Sequence, residues 1–269
     1  MNKSIKKQCL TPFSLAMMIW LISGLTSFGQ DDLATAEKKR NGGQLADFQE
    51  GSENPDQDSP IPPALEEYMG RRIARTMHYA GAEWLIRDRR EREERCSLML
   101  ANLGIRPGMT VCDMGCGNGF HSIPMAKMAG DNGMVVGVDV QPEMLGFLRE
   151  RMEDQGIENI IPILGSYHNP RLPPNSIDLV LMVDVYHEFS HPEQMLASIR
   201  KSLKPEGLVV LVEYREEDKS VPIKPLHKMS KAQVNKELKA NGFELVKEFD
   251  KLPWQHMMFF GMTEDAPGK

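Results

Sequence analysis

Long apolar runs are nearly absent from this 269-residue chain. The main one, Phe13 to Leu25, is shorter than the roughly 20 residues a membrane-spanning helix needs. It follows a basic start (Lys3, Lys6, Lys7) and leads to small residues at Ser27-Phe28-Gly29, which predicts a cleaved export signal over 1–29. The protein is then expected to be exported, in a periplasmic, envelope or extracellular setting; a tether to the membrane is the alternative if the signal stays on. No Cys stands at the cleavage point, which argues against lipid attachment. A long basic stripe is also missing. The formal net charge is −6, and it becomes −9 once the three signal lysines are gone, so nucleic acid is excluded as an expected partner. Cysteine is scarce too. Cys9 lies in the signal, and the remaining Cys96, Cys112 and Cys116 are an odd number that implies no disulfide framework. The densest charged run, Arg87 to Arg95, mixes signs at i,i+4 spacing and reads as a solvated, ion-paired helix face.

What the chain does have is concentrated at Val111-Cys112-Asp113-Met114-Gly115-Cys116-Gly117-Asn118-Gly119-Phe120. This is a short apolar strand, an acid, and Gly-x-Gly-x-Gly entering a helix. Glycines at such a turn let the backbone fold tightly and let a ligand approach it. The acid disfavours a pyrophosphate, because two anions repel. It suits a ligand carrying an ammonium and a sulfonium, which points to S-adenosylmethionine. A dehydrogenase is the weaker rival, since Gly119 falls one position early for Gly-x-Gly-x-x-Gly.

Residues 30–63 are polar and acidic with no apolar period, and read as a disordered linker. Residues 64–104 read as a helical N-terminal lid, with Met69, Ile73, Met77 and Leu85 on one stripe, and a folded domain occupies 105–263. Within it strands alternate with helices: strands at Thr110–Met114, Met134–Asp139, Ile160–Leu164, Ile177–Val185 and Leu208–Glu213, with a turn at Lys204-Pro205-Glu206-Gly207 before the last. The helices are read at His121–Met128, Pro142–Asp154, Pro192–Leu203 and Ser230–Ala240. The tail differs. Phe243–Phe249 and His256–Gly261 leave no room for a helix between them and must pair antiparallel. The fold class is α/β with a mostly parallel sheet.

This run, from Val111 to Phe260, resembles the class I S-adenosylmethionine-dependent methyltransferase superfamily, in its branch acting on small molecules, quinones among them. The resemblance implies a Rossmann-like seven-stranded sheet in the order 3-2-1-4-5-7-6 with strand 7 antiparallel, and a ligand at the carboxyl ends of the strands. It implies S-adenosylmethionine as cofactor, held by Asp113, Gly115, Cys116, Gly117 and Gly119, with Asp139 and Val140 at the ribose and Gly165 and Ser166 toward the adenine. Many relatives carry an acid where Ser166 stands; Tyr167 or His168 could stack there instead, and Gln141 and Met144 could line the adenosine. Asp184, Tyr186, His187 and Glu188 fall where the methyl is transferred and are the candidate catalytic residues, Asp184 also serving the cofactor. Methyl transfer needs alignment, plus a base when the nucleophile carries a proton. Tyr79 and Trp84 from the lid, with Tyr214, Arg215 and His227 after strand five, are the candidate contacts to a small-molecule acceptor.

Two other readings compete. His187-Glu188-Phe189-Ser190-His191 spells the zinc-peptidase pattern His-Glu-x-x-His, which needs both rings on one helix face. Pro192 pushes His191 away from helical geometry, so no metal is expected. An exported domain would also lack a cytoplasmic donor, so a non-catalytic protein that binds S-adenosylmethionine or another adenosyl ligand is the second class of function.

Overall fold

The computed structural model describes residue 48 and residues 61–264. The signal read at 1–29 lies outside the described residues. Among the described residues no helix is long and apolar enough to cross a membrane.

The N-terminal part departs from the helical expectation. It opens with a two-stranded hairpin, β1 (Glu67–Tyr68) and β2 (Arg71–Arg72). Met69 and Gly70 both take positive φ (49° and 91°), the pattern of the type I′ turn that matches strand twist. An extended stretch leads to a 3-10 helix, Tyr79–Ile86, and then to two short helices, α1 (Arg90–Glu94) and α2 (Cys96–Asn102). The helical spacing of Met69, Ile73 and Met77 was a coincidence of period. The left-handed turn at 69–70 interrupts any helix there, and the segment is held by tertiary bonds instead: Ile73 N–H to the Glu66 carbonyl and Ala74 N–H to the His187 carbonyl, at 2.9 and 3.1 Å.

The rest follows the alternating pattern. β3 (Thr110–Met114), α3 (Ser122–Ala129), β4 (Met134–Asp139), α4 (Pro142–Gln155), β5 (Ile160–Leu164), β6 (Ile177–Val183), α5 (Pro192–Ser202) and β7 (Leu203–Arg215) come first. Then follow β8 (Lys228–Met229), α6 (Lys231–Ala240), β9 (Phe243–Phe249) and β10 (Gln255–Met262). The main strands lie in the order β5-β4-β3-β6-β7-β10-β9. That is the expected 3-2-1-4-5-7-6, with β10 antiparallel to both neighbours. β8 adds a short parallel pairing at the end of β7, Tyr214 opposite Lys228, which was not foreseen.

The turn read at 204–207 does not separate helix from strand. β7 begins at Leu203, and the four residues loop out of register within it: Ile177 faces Leu203 while Leu179 faces Leu208. Pro205 cannot donate to a ladder, so the bulge falls where the pairing can spare it.

Period-two alternation divides the core. Cys112, Met114, Val136, Val138, Val180, Met182, Val209 and Leu211 face one side, packed on Met195, Leu196 and Ile199 of α5 and on Val234 and Leu238 of α6. Val111, Val135, Leu179, Leu181, Val210 and Val212 face the other, packed with Ile123 and Met125 of α3 and Leu145 and Leu148 of α4. A parallel sheet covered on both faces needs strands that are apolar throughout, which is what the sequence runs supply. Phe48, from within the 30–63 stretch, is buried in the first of these clusters.

Candidate active site

The carboxyl ends of β3, β4, β6 and β7 open into a cavity of about 540 Å³. It lies where the chain turns outward in both directions from the β3–β6 pair, the place where open α/β sheets bind ligands. The N-terminal segment forms its outer wall through Thr76, Met77, Trp84, Leu85 and Arg90.

One end is built by the glycine turn and β4. Gly115 has φ +69°, and a Cβ there would meet Val185 at 2.6 Å, so only glycine fits. Gly115 and Gly117 line the cavity; a side chain at Gly117 would strike Leu85. Asp139 ends β4 inside the cavity wall with both oxygens engaged: Gly117 N–H donates to Oδ2 and Gln141 N–H to Oδ1, each at 2.9 Å. Burial raises its pKa, against the pull of those donors. Val140, Gln141, Met144, Ser166 and Tyr167 complete this end. The Gln141 amide also ties down the outer wall, accepting from Tyr79 N–H at 2.8 Å and donating to the Met77 carbonyl at 2.9 Å.

Not all of the motif reaches the cavity. Asp113 is buried beneath the turn, where it accepts from Ser122 Oγ at 2.5 Å. Burial pushes its pKa up to about 6 despite that bond. Cys116, Gly119 and Gly165 also lie outside the lining. Gly119 packs against Leu148 of α4 and Gly165 N–H donates to the Asp139 carbonyl, so these residues shape the turn from behind.

The other end comes from the segment after β6. Asp184 lines the cavity in a left-handed conformation, φ 55°. Gln255 Nε2 donates to its Oδ2 at 2.8 Å, while Oδ1 is shielded and has no hydrogen-bond partner among the described residues. Burial, with Glu94 and Glu213 nearby, raises its pKa well above the usual carboxylate range. His187 and Glu188 occupy a 3-10 turn, Tyr186–Glu188, and both line the cavity. His187 is clamped by Glu213 of β7, with Nδ1 at 2.7 Å from Oε2, and its Nε2 is 3.1 Å from His227 Nδ1. Burial opposes the charged ring, yet Glu213 outweighs it and the His187 pKa is raised. Burial pushes Glu188 up to about 7, although Met77 N–H donates to it.

Tyr186 does not join them. It is fully buried, with its hydroxyl donating to Glu237 Oε2 at 2.9 Å behind the turn. His191 is equally remote: Nε2 meets the Pro62 carbonyl at 2.9 Å, and Pro192 opens α5. The His-Glu-x-x-His pattern therefore never forms a helical zinc site. Among the proposed acceptor contacts, Trp84, Tyr214 and His227 line the cavity, whereas Tyr79 and Arg215 do not. Arg215 braces the β9–β10 connection, with Nη2 donating to the Asp250 carbonyl at 3.0 Å.

The charged run departs from the expected solvated face in one respect. Arg90 and Glu94 do pair at i,i+4 (2.8 Å), but they face inward, 4% and 1% exposed. Arg90 reaches the cavity, Glu94 accepts from Tyr214 Oη at 2.7 Å, and Arg87 pairs with Glu94 as well. The i,i+4 spacing was visible in the sequence; the inward rotation comes from tertiary contacts. Glu213, which orients His187, was passed over because a strand-end acid carries no local signal of its distant partner.

A family model described as a methyltransferase domain matches residues 105–258, more than half of the chain. The ubiquinone/menaquinone biosynthesis C-methyltransferase UbiE of Cupriavidus pinatubonensis is 33% identical over 115 residues, covering 43% of this chain and 47% of that protein. Its counterpart in Cupriavidus metallidurans is 30% identical over 155 residues, 58% of this chain and 56% of that one. The chain thus spans about half the length of these curated relatives. A SAM-dependent methyltransferase from Aquifex aeolicus superposes with a TM-score of 0.65 at 24% identity, over 69% of this chain and 98% of that one, a likeness of fold. With the sheet order, the glycine turn and the match over 105–258 in agreement, the chain belongs to the methyltransferase-domain family.

Proposed function

We propose that this protein transfers a methyl group from S-adenosylmethionine to a small-molecule acceptor. The observation that carries the reading is one cavity with two chemically different ends: Gly115, Gly117 and Asp139 at one, His187, Glu188 and His227 at the other. The residues present fit the donor. Asp139 retains lone pairs beyond those taken by Gly117 and Gln141, enough to accept ribose hydroxyls. Asp184 and Arg90 also line the cavity and give its wall two polar side chains. Met77, Leu85 and Met144 supply apolar surface for the adenosine. When bound, the donor supplies an electrophilic methyl on a sulfonium.

The protein's own contribution is alignment and proton removal. Trp84, Pro222 and Ile223 line the same cavity and add apolar surface to its wall. His187 and Glu188 stand where an acceptor O–H or N–H would need a proton acceptor, and Glu213 keeps the His187 ring from turning. Because the relatives are named as quinone-pathway C-methyltransferases, phenols and hydroquinones head the acceptor panel.

Calorimetric titration of the full chain with S-adenosylmethionine, S-adenosylhomocysteine and NAD tests this. The first two should bind and NAD should not. Asp139→Ala should weaken donor binding by about 1–3 kcal/mol, the scale of hydrogen bonds to a charged group. Unchanged affinity in that variant would remove Asp139 from the ribose site, and no binding of either adenosyl compound would end the reading.

A further inference from the structure

The acceptor end of the cavity, whose His187 and Glu188 the methyl-transfer reading uses as proton acceptors, also has the spacing of a metal-ligand set, and with an ion bound the same atoms would be its ligands. His187 and Glu188 sit on the turn after β6. His227 closes the Pro225–His227 turn just before β8. The pairing of β8 with the end of β7, Tyr214 opposite Lys228, carries that turn to the carboxyl ends of the strands. One ligand-capable atom from each of the three residues lies within 4.8 Å of the others.

The spacing is suggestive in detail. Two ligands about 2.0–2.1 Å from one ion stand about 2.8–3.0 Å apart in cis-octahedral and about 3.3–3.4 Å apart in tetrahedral geometry. The His187 Nε2 to His227 Nδ1 distance is 3.1 Å, which lies between the two. Glu188 Oε1 is 3.9 Å from His187 Nε2 and accepts from Met77 N–H at 3.2 Å, a bond it would share or release on taking up an ion.

The orientation argument is independent of spacing. Glu213 is fully buried and lies 2.7 Å from His187 Nδ1. Acting as the acceptor, it keeps the proton on Nδ1 and leaves Nε2 to present a lone pair toward His227 and Glu188. Histidine metal ligands are held in this way, with a carboxylate accepting from the ring's other nitrogen and the far nitrogen facing the open site. Glu213 Oε1 also takes the His187 backbone N–H at 3.3 Å, so ring and main chain are fixed by one residue. His187, Glu188 and His227 all line the cavity, which leaves the remaining coordination positions open to whatever enters it.

We propose that His187, Glu188 and His227 form a binding site for one borderline divalent metal ion of the zinc class, with open positions facing the acceptor. Two imidazoles and one carboxylate suit such an ion better than magnesium or calcium, which favour all-oxygen sites. An oxygen donor of the acceptor would fill an open position; that clause alone rests on the methyl-transfer reading. The site is distinct from the His-Glu-x-x-His pattern, because His227 takes the place of His191.

The test uses the full chain, stripped with a chelator and titrated with Co²⁺, followed by visible absorption. One equivalent should bind, give ligand-field bands, and be displaced by Zn²⁺. His227→Ala and Glu188→Gln, both at the cavity wall, should each weaken Co²⁺ binding at least tenfold, and Glu213→Gln by about 10–100-fold. His191→Ala should leave it unchanged. Absence of stoichiometric uptake would leave the 3.1 Å contact as a hydrogen bond between two rings and overturn the site; so would binding that survives the His227 and Glu188 substitutions or depends on His191. S-adenosylmethionine titration of the metal-free chain is read separately. Donor binding without Co²⁺ uptake defeats the metal site alone, and Co²⁺ uptake without donor binding defeats the methyl-transfer reading alone.

Discussion

At the scale of single residues, Asp113 and Asp139 divide the work that a glycine-loop motif assigns to one region. Asp139 lies in the cavity wall, and its affinity test belongs to the ligand. Asp113 lies under the turn, and its test belongs to the fold. Its pKa is held at about 6 by burial, above the unfolded value of about 3.9. Between those values the native protein binds more protons than the unfolded chain, so this group's contribution to stability falls as pH rises from about 4 to about 6. The full penalty above pH 6 is on the order of 3 kcal/mol. Asp113→Asn keeps an acceptor for Ser122 and cannot ionise. The difference in unfolding free energy between the variant and the natural chain, from urea midpoints, should therefore grow in the variant's favour from pH 4 to pH 6. A difference that is flat with pH would mean Asp113 ionises in the fold at no cost.

The same scale marks where sequence reading stops. Gly115, Gly117 and Asp139 line the cavity as their local order of strand, glycines and second strand-end acid leads one to expect, whereas Asp113, expected at the cofactor, lies under the turn. His187 and Glu188 were legible as a position after β6, though Tyr186, one residue earlier, points the other way to Glu237. The partners Glu213 and His227 are 26 and 40 residues from His187, and only the sheet brings them to it.

At the scale of elements, the β1–β2 hairpin shows why the N-terminal segment was hard to read. Its sequence carries a helical apolar period, but what fixes it is a charge. Arg71 reaches Glu237 of α6 with two parallel bonds, 2.8 and 2.9 Å, and donates to the His187 carbonyl at 3.0 Å. Glu237 is fully buried. No local propensity announces a contact spanning 166 residues. The pair has consequences for stability. Arg71→Ala would leave a buried carboxylate without its cation, a loss of about 3–5 kcal/mol. Glu237→Gln should cost less on its own, and the double variant should recover part of the Arg71→Ala loss, since the stranded charge is gone. Denaturant unfolding of the four proteins measures this coupling; additive losses would show that the two side chains stabilise the hairpin separately.

At the scale of the whole molecule, the parallel core was the most readable part, because β3, β4 and β6 are apolar on both faces and their helices carry single stripes. The cavity's place at the strand ends, with Trp84 on one side and Tyr214 and His227 on the other, follows from the sequence; its shape does not, since it is assembled from an outer wall at 76–90, four strand ends and the 222–227 loop. An assembled cavity of this kind links ligand to fold. A ligand that binds only the native state stabilises it by RT ln(1 + [L]/Kd), about 2.7 kcal/mol at a hundredfold excess over Kd. For a domain of this size each kcal/mol raises Tm by about 2–4 °C, so saturating S-adenosylhomocysteine should raise it by roughly 5–11 °C. Asp139→Ala, its affinity weakened by about 1–3 kcal/mol, should lose roughly a third to nine-tenths of that rise at the same ligand concentration while its ligand-free Tm moves little beyond the lost Gly117 and Gln141 bonds. The outer wall sharpens the expectation. Met77 and Tyr79 are tied to Gln141, and Gln141 to Asp139, so a ligand resting on Asp139 tightens the wall and the sheet together. Limited proteolysis within 76–90 should slow in step with the rise in Tm. Proteolysis that stays fast while Tm rises would mean that the ligand grips the strand ends alone and that the 76–90 segment moves independently of the site.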